Sequence, residues 1–177
     1  MQSLSSTQKA YLAGFLDGDG SIYVRLKPND TYRYGFQVAP YIILFQSKKE
    51  RHKFETICSL IGLGYIRERK DAILEYTIAR EGAIRAFLAM VQPYLILKNE
   101  QAALMIEILD MKAKIKDSKD FRALMKMIDR FRELNYSKKR KRHTLPRRDL
   151  VRNGQSRLTK AANTSISPTG RWYSPCT

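Results

Sequence analysis

The residues best placed to do chemistry are Asp17 and Asp19. They are two carboxylates one glycine apart, closing the run Leu12-Ala13-Gly14-Phe15-Leu16-Asp17-Gly18-Asp19-Gly20. The run opens like an apolar helix. A helix C-terminus carries partial negative charge, so acidic groups there are electrostatically unfavourable. Ala13 and Gly14 offer almost no side chain, which lets another backbone come close. A helix that is small on one face and acidic at its tip reads as one of a packed pair presenting carboxylates. Neighbouring carboxylates need something positive, and a divalent metal is the usual answer. Read alone, the same residues also fit a solvated turn after a helix.

The surrounding pattern supplies elements to hold that tip. Thr7 is read as the cap of a helix from about Gln8 to Asp17, broken by Gly18 and Gly20. From Ser21 to Lys27 apolar residues alternate at Ile22, Val24 and Leu26, with Tyr23, Arg25 and Lys27 on the opposite face. Pro28-Asn29-Asp30 signals a turn into a second strand, from about Tyr34 to Gln46, where Pro40 favours an edge or a bulge. A helix from Lys48 to Ile61 follows, ended by Gly62 and Gly64. Tyr65 to Arg69 and Ile73 to Ala79 read as a second hairpin turning at Lys70-Asp71. Alternation puts Arg67, Arg69 and Glu75 on one side, and Ile66, Ile73 and Ile78 on the other. Helices are then expected from Glu81 to Val91, from an Asn99 cap to about Ala113, and from Asp117 or Ser118 onward. The order is αββαββα with a further helix: an α+β fold, one antiparallel sheet packed under helices.

Composition bounds the partners. The chain has 177 residues, 33 Lys+Arg against 17 Asp+Glu, and a formal charge of +16. This excess calls for a polyanion, most often nucleic acid. Residues 138–177 hold eleven basic residues against the single acid Asp149, so the chain divides into a domain at 1–135 and a basic tail at 136–177. The tail, with the run Lys138-Lys139-Arg140-Lys141-Arg142, has a disordered composition. It could add phosphate contacts or act as a localisation signal. Two cysteines and two histidines argue against a disulfide framework and zinc chemistry. No apolar run spans a bilayer, and neither a signal peptide nor a membrane partner is expected.

The run from Leu12 through Gly20 resembles, almost letter for letter, the signature of the LAGLIDADG homing endonucleases. Ser21-Ile22, the single copy of the motif and the αββαββα order are similar to the smaller, homodimeric branch. Lys27-Pro28-Asn29, the stretch from Gly62 through Arg67, and the stretch from Gln92 through Lys98 leading into Gln101-Ala102 add to it. The resemblance covers roughly residues 8–135.

The resemblance implies a saddle-shaped sheet and a dimer whose motif helices meet through Leu12, Ala13, Gly14, Leu16 and Asp17. Each helix tip would deliver Asp19 as metal ligand and catalytic acid, helped by the Gly18 carbonyl, with Asp17 in a supporting role. The implied cofactor is Mg2+, with Mn2+ or Ca2+ as other occupants and Ca2+ without cleavage. Gln46 would position solvent, and Lys98 would stabilise the developing anion or polarise water. Many relatives carry an arginine where this chain has Glu50, and Lys48, Lys49 or Arg51 could stand in. DNA contacts would come from Arg25, Lys27, Asn29, Tyr32, Arg33, Gln37, Arg67, Arg69 and Thr77, because a two-stranded ribbon fits the major groove. Ile43 could offer only an apolar contact.

The implied activity is a double-strand break in a long pseudo-palindromic DNA site, leaving short 3′ overhangs and promoting intron homing. An intron maturase that holds intron RNA, or a non-catalytic DNA binder, is the alternative. Family habit points to a group I intron in an organelle, chloroplast ahead of mitochondrion.

Overall fold

The computed structural model describes residues 4–135. The basic tail assigned to 136–177 lies outside the described residues. The chain runs α1 (Ser6–Asp19), β1 (Gly20–Pro28), β2 (Phe36–Ser47), α2 (Arg51–Ile61), β3 (Tyr65–Glu68), β4 (Ile73–Ile78), α3 (Glu81–Val91), α4 (Asn99–Lys114) and α5 (Ser118–Leu134). Short 3-10 turns precede α2 and follow α3.

The strands form one antiparallel sheet in the order β1-β2-β4-β3. Its two faces differ as period-two alternation requires. Ile22, Val24, Leu26, Val38, Ile42, Leu44, Leu74, Tyr76 and Ile78 point to one side and join a single core cluster with residues from all five helices. The other face carries Tyr23, Arg25, Lys27, Tyr41, Arg67 and Glu75. The α+β expectation therefore holds, with the helices gathered on one face. Ile73 is a correction. It shares a strand phase with Glu75 and Thr77, so it sits on the open side and not with Ile78.

Pro40 fits its local neighbourhood. β2 pairs with β1 along its first part and gains β4 only from Ile42 onward. Pro40 lies opposite Val24 where β2 has one neighbour, so its missing N–H costs no ladder bond on the β4 side.

The helix ends are read from their caps. α1 begins two residues earlier than a Thr7 cap predicts. Ser5 is the cap: its Oγ accepts from the Gln8 N–H at 3.2 Å, and the Gln8 Oε1 accepts from the Ser5 N–H at 2.9 Å. This reciprocal box satisfies two otherwise orphaned donors. α2 ends at Gly62, whose φ of 63° is the left-handed conformation that favours glycine. Asp117 caps α5 through the Lys119 and Asp120 N–H groups at 2.7 and 2.8 Å. Asn99 is the first residue of α4 and makes no capping bond.

Candidate active site

α1 does not stop at Asp17. It runs through Asp19, and Gly20 opens β1 with no intervening loop. The Gly20 N–H donates to the Leu16 carbonyl. A Cβ on Gly20 would lie 2.5 Å from Leu16 Cδ1 and 2.6 Å from the Leu16 carbonyl oxygen. Only glycine allows this direct passage from helix to strand. Asp19 is thereby fixed at the junction, and both Gly18 and Asp19 face solvent.

Asp17 has a different environment. Its Oδ2 accepts from the Ile96 N–H at 2.8 Å and the Leu97 N–H at 3.1 Å, and its Oδ1 accepts from the Lys98 N–H at 2.9 Å. Those three amides lie just before the N-terminus of α4, where partial positive charge collects. In return, the Lys98 ammonium donates to the Asp17 backbone carbonyl at the C-terminal end of α1. The acid at an unfavourable helix end is thus matched to the favourable end of another helix.

Gln46 lies near the end of the neighbouring strand, β2. Gly20 pairs with Leu44, so Gln46 lies two residues beyond that pair and opposite Leu74 of β4. Its Oε1 accepts from the Ser47 N–H at 2.8 Å, which fixes the amide and leaves its NH2 to donate elsewhere. The cations near Glu50 differ in their commitments. Lys48 and Arg51 both reach Glu68, each at 2.6 Å, and Arg51 also reaches Glu55. Glu50 itself pairs with Lys53 at 2.6 Å. Among the described residues, the Lys49 ammonium has no such partner.

Of the residues expected at a dimer contact, Gly14 faces outward and Asp17 is half-buried. Leu12, Ala13 and Leu16 are 0% exposed within this one chain and belong to its own core. The outward stripe is Thr7, Ala10, Tyr11, Gly14 and Gly18. A Cβ on Gly14 or Gly18 would meet nothing within 4 Å.

The open sheet face gathers most of the expected DNA contacts. Lys27 sits opposite Gln37, Arg25 opposite Ala39, Arg67 opposite Glu75, and Ile43 opposite Thr77. The Lys27 ammonium donates to the Tyr41 hydroxyl at 2.7 Å, and the Arg25 guanidinium lies 5.0 Å from the Tyr23 ring centre. Burial holds the Tyr23 hydroxyl proton more tightly than usual, against the opposing pull of Arg25. Glu75 is buried on this face, its side chain 7% exposed. It receives Arg67 through Nε at 3.1 Å and through Nη2, and Arg69 through Nη1 at 3.3 Å. The hydrogen bond to Glu75 raises the Arg67 pKa. Sequence alternation puts Glu75 with the arginines but does not mark it as their anchor. The usable signal is an acid paired directly across from a basic residue.

Three expected contacts are otherwise occupied. Thr77 faces the open side but is only 5% exposed beneath its neighbours. The Asn29 Oδ1 accepts from the Thr31 N–H at 3.0 Å and the Thr31 hydroxyl at 2.7 Å. Arg33 donates to the Lys116 carbonyl at 3.0 Å. Tyr32, by contrast, is exposed.

Residues 12–105 match the family model described as LAGLIDADG endonuclease. The chain is 36% identical over 132 residues to the DNA endonuclease I-CreI of Chlamydomonas reinhardtii, covering 74% of this chain and 80% of that protein. This chain belongs to the LAGLIDADG endonuclease family. A second family member, the DNA endonuclease I-CvuI of Chlorella vulgaris, is 32% identical over 116 residues, covering 66% of this chain and 70% of the relative. The crystal structure of I-CvuI with its target Sro1.3 and 2 mM Ca superposes with a TM-score of 0.72 at 29% identity, covering 77% of this LAGLIDADG chain and 87% of that one. I-CvuI has also been solved on the I-CreI target C1221 with 2 mM Mg, where the DNA is not cleaved.

Proposed function

We propose that this family member is a homing endonuclease that works as a homodimer. It makes a metal-dependent double-strand break in a long pseudo-palindromic DNA site, leaves short 3′ overhangs, and promotes the mobility of its intron. The observation that carries the reading is the division of labour between the two motif acids. Asp17 spends its carboxylate on the start of α4, while Asp19 stands exposed at the end of α1.

The donor set fits a hard divalent cation. The Asp19 carboxylate and the Gly18 carbonyl are oxygen ligands of the kind Mg2+ takes, with Mn2+ and Ca2+ as other occupants. Among the described residues no three His, Cys, Asp or Glu side chains cluster to hold a metal. One chain therefore gives an incomplete shell, which a second Asp19, DNA phosphate and water would complete. A cation there supplies charge stabilisation to phosphodiester hydrolysis.

The remaining roles fall to groups already in place. Lys98 keeps its ammonium at the negative end of α1, beside the acid tip, where it offsets negative charge developing on phosphate. The fixed Gln46 amide is suited to orient solvent. Of the three cations around Glu50, Lys49 is free to face the phosphate. Arg25, Lys27, Gln37, Arg67 and Arg69 form the contact surface, with Tyr32 at the hairpin tip. The dimer is supported by the outward small stripe of α1 and by apolar surface near it. Tyr11, Ile96 and Leu97 are 53, 85 and 72% exposed. An organellar setting, chloroplast ahead of mitochondrion, belongs to the same proposal.

The test is cleavage of a plasmid carrying the intron-free insertion site of the host gene. With Mg2+ the plasmid is linearised and the ends sequence as short 3′ overhangs. With Ca2+ or chelator it is bound but intact. Blunt ends, or cutting without a metal, would contradict the proposal.

A further inference from the structure

The tip of the β1–β2 hairpin is an unusually committed piece of surface. The last registered pair is Pro28 with Phe36, so residues 29–35 project beyond the sheet. An isolated two-stranded tip is marginally stable in water. This one is closed from within. The Asn29 N–H donates to the Gly35 carbonyl at 2.9 Å, the Tyr32 N–H to the Asn29 carbonyl at 3.1 Å, and the Gly35 N–H to the Tyr32 carbonyl at 2.8 Å. The Asn29 side chain adds its own turn around Thr31.

The tip is also fastened from without, to the start of α5. The Tyr34 ring stacks on Phe121, with centroids 4.7 Å apart and planes 19° apart. Phe121 is itself a core residue. The Arg33 guanidinium lies 5.3 Å from the Tyr34 ring centre and donates to the Lys116 carbonyl at 3.0 Å. The anchor is rigid in turn. The Lys116 N–H donates to the Asp120 carboxylate at 3.0 Å, and Asp117 caps the helix.

We propose that Arg33 and Tyr34 are positioning residues for DNA binding. They bolt the hairpin tip to the α4–α5 junction, so that Tyr32, Lys27 and Gln37 are held in their binding orientation before DNA arrives. This rests on the open sheet face being the DNA surface. Binding then avoids the cost of ordering a loose hairpin. Arg33 acts through its own chain and is not a base reader. The docking belongs to the Tyr34 ring, because the Tyr34 hydroxyl is buried and has no hydrogen-bond partner among the described residues.

Two readouts test this on the full-length protein. The first is amide hydrogen exchange without DNA. Tyr34→Ala and Arg33→Lys should exchange the amides of Asn29, Tyr32 and Gly35 at least several-fold faster than wild type, while Tyr34→Phe, which keeps the ring, matches wild type. The second is affinity for a duplex of the I-CvuI target Sro1.3 across a salt series. Arg33→Lys and Tyr34→Ala should bind about 5-fold more weakly, with the slope of log affinity on log salt unchanged. Unaltered exchange in Tyr34→Ala and Arg33→Lys overturns the proposal. So does an Arg33→Gln variant that lowers the salt slope with normal exchange, which would make Arg33 a phosphate contact. The exchange readout needs no DNA, so it stands apart from any failure of the nuclease reading.

Discussion

Asp17 and Lys98 hold each other at two points. The Asp17 carboxylate accepts the Lys98 backbone N–H at 2.9 Å, and the Lys98 ammonium donates to the Asp17 backbone carbonyl. The exchange joins the negative end of α1 to the positive end of α4. Each helix end receives the charge that its dipole favours. The same contact leaves Asp19 as the outward acid and sets a cation at the C-terminal end of α1.

Asp17 should therefore govern stability before it governs catalysis. Removing its carboxylate strands three amides at a helix start. Asp17→Ala should lose about 1–2 kcal/mol in urea unfolding. Lys98→Met keeps those amides bonded and should cost less, while slowing cleavage at saturating DNA. Equal stability losses in the two variants would show that the clamp is not asymmetric in this way.

Gly20 makes the helix-to-strand junction possible. Gly20→Ala places a Cβ against the Leu16 backbone, which cannot swing aside as a side-chain end can. The expected loss is about 1–3 kcal/mol, with cleavage reduced further because Asp19 moves with the junction. Thermal melts and single-turnover cleavage of the same samples read both effects.

Lys49 should be the active cation near Glu50. Lys49→Met should slow single-turnover cleavage by about 10-fold or more. Lys48→Met, whose side chain is held by Glu68, should have a smaller effect. The reverse order would move the role to Lys48.

Cys58 should be inert. Burial pushes its thiol up to about 12 from an ordinary value of 9.0. The folded state therefore binds this proton more tightly than the unfolded state. The associated stability is full below about pH 9 and falls as pH rises toward 12. Peptide mapping after alkylation at pH 8 should find Cys58 unmodified in native protein and modified in denaturant.

The element order and the two sheet faces were legible because strand alternation and helical spacing are local signals. The Ser5-to-Gln8 capping box was equally local, yet Thr7, two residues on, competes as a hydroxyl cap. Ile73 was misplaced because it begins a strand whose phase is set by later residues. The inward face of α1 was not legible. Leu12, Ala13 and Leu16 are apolar or small, and composition does not say whether such a stripe meets its own sheet or a second copy. The motif showed that Asp17 and Asp19 would differ, but not how, because the Asp17 partners lie about 80 residues away. The anchoring of Arg33 was not legible for the same reason. Its partner carbonyl, on Lys116, is 83 residues distant.

The most direct measurement compares wild type with Asp19→Asn on the plasmid bearing the intron-free site, in Mg2+, with binding and melting recorded alongside. The Asn variant should fold and bind DNA as wild type does, and should leave the plasmid uncut. Linearisation by Asp19→Asn at the wild-type rate would contradict the assignment of Asp19, and with it the reading of this site as the cutting centre.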